Sequence, residues 1–392
     1  MEPPPSDPGP GAGPAHGVVA YLDNAATTAL RPATVDAMVP WLSGGPANPS
    51  GSHRAARAAR RAVDEARDTV AAALGCEPGE VVFTSGGTEA DNLAVLGVHR
   101  ARPGRVLCSA VEHAAVLGPT RSVGGSTVPV DALGRVDLAA LREVLSPEVS
   151  LVAVMAANNE VGTVQPLDEV VAAVRELAPG AAVHTDAVAG VAWLDAAATA
   201  GGCDLLAVSA HKFGGPHGVG ALVVRDGAPW APVLHGGSQE RGRRPGTVDV
   251  AAVVGMAVAL AETVAERPAT VQRVRALRDR LVAGLVSSGC GGRPTLGPDT
   301  SSVSVAGTAH LAFDGVAAEE LLLLLDERGI CASAGSACSS GAAEPSHVLQ
   351  AMGVDPGAVR GSVRFSLGWS TTADEVDQVV AVVPGLVDRL RS

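Results

Sequence analysis

Short apolar, β-branched runs alternate with longer helical patterns between residues 53 and 224, and this alternation constrains the fold more than any other feature. Strands are predicted at 81–84, 105–109, 151–155, 181–185, 205–209 and 220–224. Helices are predicted at 53–73, 89–100, 138–145 and 167–177. A strand followed by a helix, repeated, builds a mostly parallel sheet covered on both faces. Ligands of such sheets bind in the loops beyond the carboxyl ends of the strands.

The pattern changes after Val248. Two helices are predicted at 249–266 and 270–287, then a strand at 301–305, a helix at 316–328 and a strand at 362–366. A last helix begins near Thr371, where Ser370-Thr371-Thr372-Ala373-Asp374-Glu375 supplies a cap and acidic first-turn residues. The expected organisation is a Pro/Gly-rich tail at 1–17, a large α/β domain at 18–250 and a smaller α+β domain at 251–392. A disordered tail follows from its composition.

Composition narrows the function. The chain of 392 residues is 47% hydrophobic but only 2% aromatic, so its core must come from Ala, Val and Leu. The net charge of -12 and the mixed Arg/Asp/Glu sequence at 54–68 argue against a nucleic-acid partner. No apolar run approaches the ~18–20 residues of a membrane helix, and the first residues lack the basic start and apolar centre of a secretion signal. The expectation is a cytoplasmic protein with no membrane contact. Six cysteines (76, 108, 203, 290, 331 and 338) form no C-x-x-C pair, so neither a disulfide framework nor a metal site is expected.

One residue stands apart from this background. Lys212 is the only lysine in the chain, every other basic residue being arginine. Arginine stays protonated and forms no Schiff base, whereas a lysine with a lowered pKa does.

The neighbouring sequence gives that amine a context. Val183-His184-Thr185-Asp186 puts a carboxylate at the end of one predicted strand, and Val208-Ser209-Ala210-His211-Lys212 puts the amine just beyond the next. Their separation of 26 residues (212 minus 186) suits one crossover between parallel neighbours. Pyridoxal phosphate (PLP) needs such a pair, an amine for its aldehyde and an acid for its ring nitrogen.

Thr84-Ser85-Gly86-Gly87-Thr88-Glu89 is a strand entering a helix through two glycines, a pattern that exposes amides to an anion and also describes an ordinary helix cap. His113, after the strand at 105–109, can stack on a ring, move protons or serve a structural hydrogen bond. Arg364 reads equally as a carboxylate clamp and as a structural ion pair. Residue type alone favours a buried, inert thiol at Cys338.

Taken together, these motifs resemble the cysteine desulfurases of the class V aminotransferase group, which are fold-type I PLP enzymes. The resemblance runs from about Tyr21 to Arg389. It includes Tyr21-Leu22-Asp23-Asn24-Ala25-Ala26-Thr27-Thr28, the Thr84–Glu89 segment, Asn158-Asn159-Glu160 and Ser209-Ala210-His211-Lys212-Phe213-Gly214-Gly215-Pro216. His235-Gly236-Gly237, Glu240-Arg241-Gly242, Gly246-Thr247 and Gly335-Ser336-Ala337-Cys338 complete it.

The resemblance implies that Lys212 carries PLP as a Schiff base, Asp186 pairs with the ring nitrogen and His113 stacks on the ring. Gly87, Thr88, Ser209 and His211 would hold the phosphate, with Thr247 supplied by the other subunit of a homodimer. Asn159 would touch both cofactor and substrate, and Asn48 and Arg364 the substrate. Cys338 would be the sulfur-accepting nucleophile, on a loop of the long type, which reverses the reading from residue type alone. The expected reaction removes sulfur from L-cysteine, leaving L-alanine and a persulfide on Cys338. An acceptor protein, such as an iron–sulfur scaffold or a tRNA-thiolation enzyme, would take the sulfur. One position departs from the pattern: the family's usual Gln, a donor to the phenolic oxygen of PLP, is replaced by Ala189. That departure keeps selenocysteine lyase, epimerase and aminotransferase chemistry open as alternatives, alongside a weakly active sulfur-delivery protein.

Overall fold

The computed structural model describes residues 20–297, 303–335 and 345–392. Seven strands form the main sheet: β1 (Val81–Thr84), β2 (Arg105–Ser109), β3 (Ser126–Val128), β4 (Val149–Ala153), β5 (Ala182–Asp186), β6 (Leu205–Ser209) and β7 (Gly220–Val224). Their spatial order is β1-β7-β6-β5-β4-β2-β3. Only β7 runs against its neighbours, pairing antiparallel with both β1 and β6, while the remaining pairings are parallel. The expected large, mostly parallel sheet is present, and β6 and β7 have the predicted bounds.

Every residue of β5, β6 and β7 is buried, which is why these strands read as continuous apolar runs rather than alternating ones. One face packs against the helices Arg54–Leu74 and Leu167–Leu177, through Val63, Val70, Leu74, Val170 and Val174. The other face packs against Gly87–Ala101, through Leu93, Ala94 and Val98.

The two helices predicted at 249–266 and 270–287 are one helix, Val250–Ser287, running through Pro268. An internal proline forfeits a backbone hydrogen bond and costs roughly 3 kcal/mol. Burial on both sides of it offsets that cost. Met256 and Leu260 pack into the main core, whereas Val274, Leu281 and Leu285 pack into a second one. The expected division at 250/251 falls on the first turn of this helix.

The second core surrounds a three-stranded antiparallel sheet with Thr308–Phe313 between Gly292–Pro294 and Ser362–Ser366. Gly292–Pro294 and Thr308–Phe313 were not anticipated from sequence. Of the strand expected at 301–305, residues 301 and 302 lie outside the described residues, and Ser304 forms only an isolated bridge with Thr163. The helix expected at 316–328 is shorter, Ala318–Asp326. The last helix, Ala373–Arg391, starts at a capping box between Thr372 and Glu375, close to the predicted start. Ala20–Tyr21 pairs with Ile330–Cys331, and Ala20 and Leu22 pack in the second core, so the start of the described chain belongs to that core. No helix among the described residues is long and apolar enough to cross a membrane.

Candidate active site

A cleft with a cavity volume of ≈ 380 Å³ opens beyond the carboxyl ends of β5 and β6. Its lining includes Gly87, Thr88, His113, Asn159, Asp186, Ser209, His211, Lys212 and Arg364. Nine of the residues predicted from sequence therefore line one cleft, Arg364 reaching it from the three-stranded sheet.

The glycines at the cleft floor are there for space. A Cβ at Gly87 would sit 2.7 Å from Val188 Cγ2, and Gly86 holds φ at 150°. The helix Gly87–Ala101 begins at this point with no side-chain cap on Gly86, so its first amides are presented to the cleft as anion donors. Glu89 instead reaches back to the Ser85 N–H at 2.6 Å and is fixed by Arg244 at 2.8 Å. The Glu89–Ser85 bond is the cap-like contact of this segment.

Lys212 closes the short 3-10 turn Ala210–Lys212 that follows β6. Its Nζ donates to the carbonyls of Ala25 and Ala26, the latter at 2.9 Å. Beside it, His211 Nδ1 lies 3.3 Å from Thr27 Oγ1, and its ring stacks on His217. Burial and the neighbouring Lys212 and His217 charges push the His211 pKa down to about 4, so this ring is neutral.

Asp186 ends β5 beside Ala207 of β6. Its Oδ1 accepts the Val188 N–H at 2.8 Å, the local turn bond that a capping reading would require. Burial, followed by the charge of Asp91, raises the Asp186 pKa to about 7, against the opposing pull of His113. His113 caps the helix Ala114–Ser122, its Nδ1 accepting from Ala115 N at 3.1 Å. Burial lowers its pKa below the ordinary histidine value, so the ring is neutral near pH 7.

Arg364 is among the most buried side chains, at 2% exposure. Nη2 donates to Asp23 Oδ1 at 2.8 Å and Nη1 to the Asn159 carbonyl at 2.9 Å, while Nε has no partner among the described residues. The structural ion pair is present, and the same guanidinium lines the cleft. Ala189 lines the same cleft and also a narrower cavity between the two cores.

Other predicted residues are not brought there. Asn48 is exposed and accepts the Ser50 N–H, and Thr247 is exposed; neither lines the cleft of its own chain. Cys338 lies outside the described residues, between Gly335 and Pro345; Gly335 lines the cleft. Among the other cysteines, burial pushes the thiols of Cys76 up to about 11 and of Cys108 and Cys203 up to about 12. These are poor nucleophiles.

Sequence reasoning missed the second layer. His184 and Asp91 are fully buried and bonded to each other at 3.0 Å, beneath Asp186. A signal existed for His184, since residues two apart on a strand share a face. None existed for Asp91, which reads as one more polar residue in a helical run.

The donor set fits PLP. It offers one amine, a buried carboxyl for a ring nitrogen, and a glycine-floored helix start for a phosphate, all around one cleft.

Comparison with known proteins agrees with this geometry. The profile of the aminotransferase class-V family matches residues 20–379. An IscS-like cysteine desulfurase of Mycobacterium tuberculosis is 43% identical over 390 residues, covering 95% of this chain and 97% of its own. The cysteine desulfurase IscS of Methanosarcina thermophila is 39% identical, covering 95% of this chain and 93% of its own. Among solved structures, a NifS-like protein superposes with a TM-score of 0.87 at 33% identity, covering 94% of this chain and 99% of its own. SspA in complex with cysteine superposes with a TM-score of 0.76 at 31% identity, covering 90% of this chain and 100% of its own.

Proposed function

This chain belongs to the class-V aminotransferase family, and from that premise we infer its activity: it is a PLP-dependent cysteine desulfurase. It converts L-cysteine to L-alanine and loads the sulfur onto Cys338. The observation that carries the reading is the meeting of the only lysine and the buried Asp186 carboxyl in one cleft at the ends of β5 and β6. Identity of 39–43% to named cysteine desulfurases over nearly the whole chain supports the substrate.

Lys212 would hold the cofactor covalently, Asp186 would pair with its ring nitrogen, and His113 would stack on the ring. Gly87, Thr88, Ser209 and His211 would hold the phosphate. Bound there, PLP supplies an aldehyde for the substrate amine and a ring that stabilises negative charge at the substrate Cα. Arg364 takes the substrate carboxylate, for which its unpartnered Nε is available. Asn159, whose carbonyl already accepts from Arg364, would contact both substrate and cofactor. Lys212 Nζ would be the base that accepts the substrate Cα proton and later returns it. His113 is neutral near pH 7 and can exchange a proton through Nε2. The Cys338 thiolate attacks the substrate sulfur. An S–S bond forms, the Cβ–S bond breaks, and its electron pair stays on the carbon skeleton, which takes up one proton at Cβ and regains the Cα proton from Lys212 to become alanine. An acceptor protein, such as an iron–sulfur scaffold or a tRNA-thiolation enzyme, takes the persulfide sulfur in the cytoplasm.

The working unit is a homodimer in which each Thr247 serves the other cleft. Its exposure and its absence from its own cleft support this. So does the apolar surface formed by Leu30, Val35, Val39 and Leu42 on and beside the helix Pro32–Ser43, since side chains of this size are not usually left in water as a group.

Mass spectrometry of the holoprotein after exposure to L-cysteine tests the assignment. One added sulfur on the peptide containing Cys338, with alanine released, is the expected result. PLP-loaded Cys338→Ser protein that still turns cysteine over normally would overturn it.

A further inference from the structure

Two adjacent residues hold a backbone conformation that side chains disfavour, and no step of the mechanism above uses either. Glu240 (φ 47°, ψ 37°) and Arg241 (φ 58°, ψ 33°) are left-handed. Among the described residues, every other positive φ belongs to a glycine. Gly242 continues the turn at φ 76°. Such a conformation persists only where its surroundings over-determine it, and it gathers where function needs a fixed shape.

Three polar anchors surround this turn. The buried Glu240 carboxylate makes a two-pronged pair with Arg67, at 2.6 Å to Nη2 and 2.9 Å to Nη1. Its Oε2 also accepts the Phe83 N–H of β1 at 2.9 Å. Arg67 is fixed in turn by the Val81 carbonyl at 2.8 Å, and its guanidinium stands over the Phe83 ring, 4.6 Å from the centroid. Further along, Arg243 donates to the Gly79 carbonyl, and Arg244 grips both oxygens of Glu89, at 2.8 Å and 3.1 Å. Gln239 Oε1 closes the loop on itself by accepting the Gly246 N–H at 3.2 Å. The anchors thus lie on β1, on its lead-in and on the helix Gly87–Ala101, next to the loop's own cleft. Thr247, the residue after Gly246, is nevertheless exposed and absent from that cleft. Asn48, the other predicted residue missing there, precedes Pro49 and Ser50, which line one depression with Gln239, Glu240 and Val248. Both absentees therefore flank one face of the molecule.

We propose that Glu240 is a positioning residue for Thr247. Its bonds to Arg67 and to the Phe83 amide hold the left-handed turn, and that turn carries Thr247 away from its own cleft and toward the phosphate site of the partner subunit. A carboxylate held by a guanidinium fork and an amide has one orientation, because these charge-assisted bonds are directional. Without them Glu240 and Arg241 relax to the backbone regions that side chains prefer, and the residues that follow are redirected. The proposal deepens the homodimer assignment above and rests on it.

The test reads cofactor binding rather than turnover. PLP, and pyridoxal, which lacks the phosphate, are titrated into wild-type, Glu240→Ala and Thr247→Val apoproteins. Both variants should bind PLP about tenfold more weakly and pyridoxal within about twofold of wild type, because only the phosphate loses a partner. Heterodimers then separate positioning from general damage. One chain carries Lys212→Ala, so borohydride fixes PLP only at Lys212 of the other chain. Glu240→Ala on the Lys212→Ala chain should raise the PLP concentration needed for labelling about tenfold. The same substitution on the labelled chain should leave it unchanged. Should Glu240→Ala fail to fold, Glu240→Gln, which can still accept the Phe83 N–H but leaves Arg67 without its charge, takes its place in every arm with the same expected pattern. Wild-type PLP affinity in the Glu240 variant overturns the proposal. Equal losses of PLP and pyridoxal, or a labelling loss that does not depend on which chain carries the substitution, also overturn it, because they mark a packing role. A Thr247→Val protein with wild-type PLP affinity, or a wild type that sediments as a monomer, overturns the homodimer assignment itself, a result distinct from the others.

Discussion

Lys212 Nζ donates to the carbonyl of Ala26 at 2.9 Å, so the chain's one lysine is aimed by a loop 186 residues earlier in sequence. That loop follows Asp23, which holds Arg364 from the second core. The amine and the substrate clamp are therefore oriented by one short segment, residues 23–28.

Replacement of Lys212 by Arg keeps the charge and the reach to those carbonyls but not the capacity for a Schiff base. Turnover is expected to fall by at least about 10²-fold. Borohydride reduction of the PLP-treated proteins, followed by peptide mass analysis, checks the cause. Wild type carries the label at position 212, and the variant has no other lysine to receive it.

The raised pKa of Asp186 makes a prediction about stability. In the folded apoprotein this carboxyl keeps its proton up to about pH 7, whereas an unfolded aspartate releases it near its ordinary value of 3.8. The folded state thus binds more protons between these limits, and the group's contribution to stability is lost as pH rises through them. Asp186→Asn has no such titration. The melting temperature of apo Asp186→Asn minus that of apo wild type should therefore increase between about pH 4 and about pH 7. A constant difference would show that Asp186 ionises normally.

Arg364 and Asp23 offer a separable pair of effects. Arg364→Ala removes a buried cation from its acid, a loss that typically costs about 3 kcal/mol or more. It should also raise the KM for cysteine roughly tenfold or more through loss of charged hydrogen bonds. Arg364→Lys keeps the charge without the fork, so it should recover stability better than it recovers KM. Thermal melts and steady-state kinetics read the two effects independently.

Ala189 can be tested by restoring the amide. Ala189→Gln places a donor in the cleft wall, and donation to an oxygen anion stabilises the ionised form. The pH at which the bound cofactor changes colour should move downward, as read by spectrophotometric titration. An unmoved titration would mean that a residue at 189 does not reach the phenolic oxygen.

Much of this site was legible in the linear chain because its signals are local. Residue type singled out Lys212, since no arginine substitutes for a Schiff-base amine. The run of β-branched residues bounded by polar ones located β5 and β6, and the spacing from Asp186 to Lys212 matched one crossover. Local too were the two glycines entering the helix at Gly87 and the capping box at Thr372. The longest helix was misread at Pro268, because proline's local preference was visible and the two cores that outweigh it were not.

Sequence alone determined which chemistry the protein could carry, through one amine, one strand-end acid and a glycine-floored turn, each defined within a few residues. Tertiary structure decided how those groups behave. Burial against Asp91 and His184 sets the charge of Asp186, the loop at residues 23–28 aims Lys212, and Arg364 is shared between Asp23 and the cleft. Local pattern records what a residue is, whereas its charge and direction depend on dielectric surroundings and hydrogen-bond partners that arrive from distant parts of the chain.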